Sequence, residues 1–223
     1  EMTIIKILSG RFEIEFQKLS LRCIPGKRIH YMAFSLNRKL ILASRSPRRS
    51  FLLEQAGFEF DIKPVDIDEE SYPADLPVDE VAGYLAHQKA LAARSFLQND
   101  EIILTADSVV ILNDKIYGKP ADRADAVRIL RALSGNMHRV ITGVCLLARD
   151  REIVFADEAR VYFEPLKDAE IDYYIDNYKP FDKAGAYAIQ EWIGLCKISK
   201  IEGTYANIMG LPVQRVYEEL QRF

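Results

Sequence analysis

The sequence predicts an α/β fold built on a mixed, twisted sheet with flanking helices, and three observations predict it. From Leu40 onward, short apolar runs alternate with stretches of helical periodicity, the pattern of strands joined through helices. Residues 140–147 and 153–163 are two strand-like runs that meet across Arg149-Asp150, and such a hairpin imposes antiparallel pairing on part of the sheet. Hydrophobic residues make up 49% of the 223, ample for the core of one large domain or two closely joined lobes without staples.

The elements follow in order. Residues 40–43 are a short apolar strand, and Ser46 is placed to cap a helix that begins at Pro47 and stops at Gly57. Phe58, Phe60 and Ile62 alternate as a second strand, while residues 78–97 carry Val81, Leu85, Leu91 and Ala92 at helical spacing. Residues 101–112 read as a strand interrupted near Asp107, followed by a turn at Asn113-Asp114. Residues 122–133 form an amphipathic helix ended by Ser134-Gly135-Asn136. A helix near 168–178, a loop containing Lys183-Ala184-Gly185-Ala186-Tyr187, a strand over 195–201 and a terminal helix after Pro212 complete the pattern. Residues 1–38 differ: the segment is basic, has no acidic residue after Glu15 and opens on Glu, and Met32 is a candidate start. They are set aside as an unassigned extension, with a short hairpin around Ile14 and Phe16 as the alternative, and 39–223 are taken as the domain.

Composition excludes several classes of function. The 30 basic and 33 acidic residues are spread along the chain for a net charge of -3, so no sustained polycation tracks a nucleic-acid backbone. No apolar run approaches the ~20 residues of a membrane span. Lys6, Arg11, Glu13, Glu15 and Lys18 break any signal-peptide core, which leaves the cytoplasm as the expected location. Cys23, Cys145 and Cys196 are distant and odd in number, and are expected to be core thiols rather than a disulfide framework or zinc cluster. His30, His87 and His138 lack metal-ligand spacing and are read as structural or surface residues.

The candidate chemistry begins at Ser44-Arg45-Ser46-Pro47-Arg48-Arg49, between a strand and a helix start. Helix-start amides favour an anion, hydroxyls can bond its oxygens, and an arginine grips phosphate bidentately. The glycines and Gly-Lys-Ser/Thr of a Walker loop are missing, and an ordinary helix start with solvated arginines is an equal reading of these residues. Asp107 interrupts an apolar run, where a carboxylate is costly unless it meets a metal, a cation or a proton; an Asp bonded to local backbone is the alternative. Asp68, Glu69 and Glu70 form an acidic cluster of the kind that is usually solvated but can supply oxygen ligands to Mg²⁺. Lys89, Lys119 and Lys183, with Arg48 and Arg49, can together neutralise a triphosphate if the fold gathers them.

These residues add up to a chain that, from about Leu40 to its end, resembles the Maf family, the septum-formation-inhibitor homologues regarded as nucleotide pyrophosphatases. The resemblance rests on Ser44-Arg-Ser-Pro-Arg-Arg with Leu52-Leu53, on Asp66-Ile-Asp-Glu-Glu, Lys89-Ala, Ala106-Asp-Ser-Val-Val and Gly118-Lys-Pro. It continues through Leu133-Ser-Gly, Asp182-Lys-Ala-Gly-Ala-Tyr-Ala-Ile-Gln and Gly210-Leu-Pro. It implies two lobes around a deep cleft, similar to the inosine triphosphate pyrophosphatases, and a homodimer. It further implies Asp107 as proton acceptor for the water attacking the α-phosphorus, and Glu69 with Asp107 as ligands of a divalent cation, Mg²⁺ or Mn²⁺. Arg48, Arg49, Lys89 and Lys119 match phosphate-facing positions, and Arg48, Ser108 and Gln190 match positions associated with substrate choice. Pro47 followed directly by Arg48-Arg49, and the run from Lys183 to Gln190, fit the dTTP/UTP branch rather than the 7-methyl-GTP branch. Ser108 stands where Thr is commoner and Ala188 where Gly is usual.

The expected activity is therefore hydrolysis of nucleoside triphosphates, dTTP and UTP first, to monophosphate and pyrophosphate. The expected site is Ser44, Arg48, Arg49, Lys89, Lys119 and Lys183 on the phosphates and Gln190 on the base, whose amide offers both donor and acceptor. Two rival readings are a regulatory nucleotide binder acting on cell division through a partner, and broader clearance of modified pyrimidine triphosphates.

Overall fold

The computed structural model describes residues 36–65 and 71–223. The expectations about the leading hairpin, Cys23, His30, Met32 and the acidic cluster Asp68, Glu69 and Glu70 lie outside the described residues.

A seven-stranded mixed sheet organises the rest. Strands β1 (Lys39–Leu42), β2 (Phe60–Ile62) and β3 (Glu101–Leu112) run parallel. They are connected through helices α1 (Pro47–Gln55) and α2 (Val81–Ala92), as parallel pairing requires crossovers. Asn113 and Asp114 adopt φ of 51° and 56°, the left-handed pair of a tight hairpin, and turn β3 into β4 (Lys115–Tyr117). After α3 (Arg123–Leu133), capped by Asp122 through the Asp125 amide at 2.8 Å, β5 (Met137–Leu147) and β6 (Glu152–Phe163) form the expected antiparallel hairpin. Helices α4 (Asp168–Tyr178) and α5 (Trp192–Lys197), strand β7 (Ile198–Glu202), and helices α6 (Tyr205–Met209) and α7 (Val213–Leu220) follow. The sheet order is β2-β1-β3-β5-β6-β7, with β4 on the far end of β3.

Several expectations are corrected. The strand expected over 195–201 is half helix: Trp192–Lys197 coil as α5 and only Ile198–Glu202 pair with β6. Residues 195–197 sit in a six-residue helix too short for periodicity to reveal. Ser46 occupies the cap position of α1, but its hydroxyl makes no capping bond; its amide donates to Ser44 Oγ at 3.2 Å instead. Strand β3 is not interrupted at Asp107, which pairs in register with Gly143 of β5. Cys145 is buried as expected, with its thiol pushed up to about 12 by burial, but Cys196 is exposed. Leu91 faces solvent, and the buried stripe of α2 runs along Val81, Ala82, Leu85, Ala86, Lys89 and Ala90.

Alternation along β3 divides the core. Ile102, Leu104 and Ala106 pack with Leu53 of α1 and Val216 of α7, while Ile103 meets Ala86 and Ala90 of α2. Val109 and Ile111 meet Val81 and Leu85 of α2, and Val110 and Leu112 join α3 and α4. Full burial of each such Val, Leu or Ile contributes about 1.5–3 kcal/mol, so α2 is held firmly on one face of the sheet.

Register also creates a gap. Strand β1 pairs β3 only as far as Leu104, and β4 pairs it only from Val110. Between them, residues 105–109 lie at an edge of β3 that neither strand covers. This lies past the carboxyl end of β1, where open α/β sheets form their crevices.

Candidate active site

A cleft of about 250 Å³ opens at that gap. One wall is the β1–α1 junction with Ser44, Arg48 and Arg49; the floor carries Asp107 and Ser108 of β3 and Lys89 of α2; the opposite wall carries Lys119, Lys183 and Gln190. Every described residue singled out from the sequence for phosphate, catalysis or specificity is thus brought together, while Glu69, with Asp68 and Glu70, lies outside the described residues.

The floor is an ion pair. Lys89 Nζ lies 2.6 Å from Asp107 Oδ1, with side chains only 7% and 14% exposed. Lys89 continues the buried stripe of α2, a position that otherwise takes Ala or Leu, so its charge is tolerated there because Asp107 faces it. The helix reaches this depth because β5 presents Gly143 beneath it: a Cβ there would lie 2.3 Å from the Ala82 carbonyl and 2.4 Å from the Gly83 amide. Gly143 is also the register partner of Asp107, so the close approach falls at the level of Asp107 in the sheet.

Arg49 braces the first wall. Its Nε donates to the Gly210 carbonyl at 2.9 Å, Nη1 to Ser44 Oγ at 3.2 Å and Nη2 to Ser108 Oγ at 3.4 Å. Ser108 in turn shares a 2.8 Å hydrogen bond with the buried Thr142, whose hydroxyl donates to the Asn207 carbonyl at 3.0 Å. Gly210 bends at φ +119°, a conformation open mainly to glycine. One guanidinium thereby ties the β1 exit, β3 and the α6–α7 turn into a single wall.

Across the cleft, Arg48 reaches Asp182 at 3.5 Å, and Asp182 also takes Lys183 Nζ at 2.7 Å. Burial raises the Asp182 carboxyl, but the Lys183 hydrogen bond and charge, with Arg48, outweigh it and hold the group below its usual range. Lys183 further approaches Glu191 at 3.5 Å. Gln190 Oε1 is buried and finds no donor among the described residues, leaving an acceptor to be satisfied. Glu191, Tyr174 and Thr142 were not singled out from the sequence, where Thr142 left a signal as a polar residue inside the apolar run of β5; Asp182 and Gly210 open matched motifs but were given no role in the site.

Charge is concentrated here. Six basic side chains, Arg45, Arg48, Arg49, Lys89, Lys119 and Lys183, line the cleft against two acidic ones, Asp107 and Asp182, in a chain whose net charge is -3. Such a focused positive potential suits a compact polyanion. Among the described residues no group of three or more His, Cys, Asp or Glu side chains is placed to hold a metal, and no helix is long and apolar enough to cross a membrane.

The chain is 45% identical over 185 residues to the dTTP/UTP pyrophosphatase of Parabacteroides distasonis, covering 83% of this chain and 96% of that one. It is 48% identical over 184 residues to the dTTP/UTP pyrophosphatase of Phocaeicola vulgatus, covering 82% and 95%. Among solved structures, a HAM1 protein from Coxiella burnetii aligns with a TM-score of 0.44 at 15% identity, over 83% of this chain and all of that one. The Staphylococcus aureus Ham1 protein aligns with a TM-score of 0.41 at 14% identity, over 56% and 72%. The model of the Maf-like protein family matches residues 39–223, and with relatives this similar along nearly their whole length the chain belongs to the Maf family.

Proposed function

We propose that the cleft hydrolyses nucleoside triphosphates, dTTP and UTP foremost, to the nucleoside monophosphate and pyrophosphate. The observation that carries the reading is the Asp107–Lys89 pair on the floor of a cleft walled by cations. Relatives at 45–48% identity that bear the name dTTP/UTP pyrophosphatase support it. In this reading Arg48, Lys119 and Lys183 receive the triphosphate, and Arg49 holds Ser44 and Ser108 in place beside it. Lys89 occupies one oxygen of Asp107 and fixes the plane of the carboxylate, whose other oxygen takes a proton from water. The water oxygen bonds to the α-phosphorus as the bond from that phosphorus to the bridging oxygen breaks, and pyrophosphate leaves with its charge met by the basic walls. Gln190 presents its amide, which carries both a donor and an acceptor, to the pyrimidine edge, where uracil and thymine differ from cytosine at N3 and C4.

A divalent cation, Mg²⁺ or Mn²⁺, is part of the same proposal. A single carboxylate plus substrate phosphates is a donor set Mg²⁺ commonly takes, so Asp107 fits a cation that arrives with the nucleotide; Glu69, the second ligand implied by the resemblance, lies outside the described residues. When bound it supplies charge neutralisation on the phosphate oxygens. The homodimer implied by the resemblance and the cytoplasmic location expected from the sequence also stand as proposals, and sedimentation of the purified chain tests the first.

The decisive experiment is turnover of dTTP in ¹⁸O-water with Mg²⁺ or Mn²⁺. The reading expects pyrophosphate and monophosphate in equal amounts, with the label in the monophosphate. Label in pyrophosphate, or release of inorganic phosphate, contradicts attack at the α-phosphorus; tight binding without turnover would favour the regulatory binder.

A further inference from the structure

Behind the wall that carries Gln190, the phenol of Tyr174 is withdrawn from solvent entirely. It belongs to α4, does not line the cleft, and has no role in the chemistry above. Its hydroxyl accepts from the Ala188 amide at 3.1 Å and donates to the Glu191 carboxylate. Those two residues bracket Ile189-Gln190, so one hydroxyl fastens both ends of the segment that presents the Gln190 amide. The other Glu191 oxygen faces Lys183 at 3.5 Å, which binds the segment to a cation of the same wall. From behind, Gly194 of α5 packs so tightly that a Cβ there would lie 1.8 Å from the Ile189 carbonyl. The segment is therefore held at its start, middle and end. Burial, reinforced by Glu191, raises the Tyr174 hydroxyl above its ordinary value, and the phenol stays a donor at any working pH.

We infer that Tyr174 and Glu191 are positioning residues for base selection: the Tyr174 hydroxyl clamps residues 188–191 and so fixes where the Gln190 amide meets the pyrimidine edge. The inference rests on the reading of Gln190 as the base-facing group and goes beyond it by naming what sets its position. A group that reads a hydrogen-bonded edge discriminates only while its placement is fixed, and small displacements of positioning groups cost rate by large factors.

The test compares kcat/KM for dTTP and CTP in the wild type, Gln190→Ala, Tyr174→Phe, Glu191→Leu and Glu191→Gln, with thermal unfolding alongside. Gln190→Ala should flatten the preference for dTTP. Tyr174→Phe should narrow it about tenfold, chiefly through KM for dTTP, and Glu191→Leu should do the same because it removes the same hydrogen bond from the other side. Glu191→Gln keeps an acceptor for Tyr174 and should retain the preference. If Gln190→Ala flattens the preference while Tyr174→Phe and Glu191→Leu keep it, the clamp is wrong and the reading of Gln190 stands. If Gln190→Ala keeps the preference, the reading falls and the clamp falls with it. A loss of rate equal for dTTP and CTP in the Tyr174 and Glu191 variants would mark a merely structural role and also overturn the inference.

Discussion

Asp107 and Lys89 illustrate what the sequence reveals at the scale of the residue. A carboxylate in an apolar run is conspicuous, and it marked the floor of the cleft; its partner was less so, because Lys89 had to be recognised as the next member of a buried helical stripe eighteen residues away. Removing one partner of such a withdrawn pair leaves an uncompensated charge, at a cost of about 3–5 kcal/mol. Lys89→Met should therefore destabilise the protein by roughly 3 kcal/mol in chemical denaturation, and the double variant Lys89→Met with Asp107→Asn should recover most of that loss. Additive losses would show that the two side chains do not interact. His138 makes a second prediction. It is fully buried, shares a 2.7 Å hydrogen bond with the Tyr187 hydroxyl, and burial pulls its pKa from 6.5 to about 3. The unfolded chain takes up that proton near 6.5 while the folded chain does not until about 3. The contribution of His138 is thus complete above about 6.5 and declines as pH falls through that window, by at most ~1.4 kcal/mol per pH unit. Stability of His138→Gln measured between pH 6 and 4.5 should fall less steeply than that of the wild type, and parallel slopes would contradict this.

At the scale of the element, length decided what could be read. The helices α3 and α4 and the β5–β6 hairpin were legible because ten or more residues carry their period or their alternation. Strand β4 has three residues and α6 five, too few for either pattern, and the second half of α5, residues 195–197, reads as strand because it runs without a break into β7. Packing distances were also out of reach of the sequence. Nothing in Thr142-Gly143 announces that the glycine lies under the backbone of α2, yet that contact sets the height of the helix above the sheet and brings Lys89 down to Asp107. Gly143→Ala places a methyl 2.3 Å from the Ala82 carbonyl, which the helix can relieve only by moving outward. Such overpacking costs typically 1–3 kcal/mol, and lifting Lys89 should lower pyrophosphate release at least tenfold as well. A variant that folds with unchanged turnover would show that α2 does not set the geometry of the floor.

For the whole molecule, the informative feature is the separation of charge. Positive side chains from distant stretches of the sequence, Arg45 to Arg49, Lys89, Lys119 and Lys183, converge on one cleft, while the remainder of the chain carries the acidic excess. Motif matches foretold which residues would meet; the reason they meet lies in strand register, which leaves residues 105–109 of β3 at an edge uncovered by β1 or β4. The chemistry assigned to that edge rests on Asp107 accepting a proton. The most direct check is Asp107→Asn, which keeps size and hydrogen-bonding shape but removes the basic oxygen. Pyrophosphate release from dTTP should fall by about 10²–10⁴-fold while the variant remains folded and still binds the nucleotide; release within a few-fold of the wild type would contradict the account.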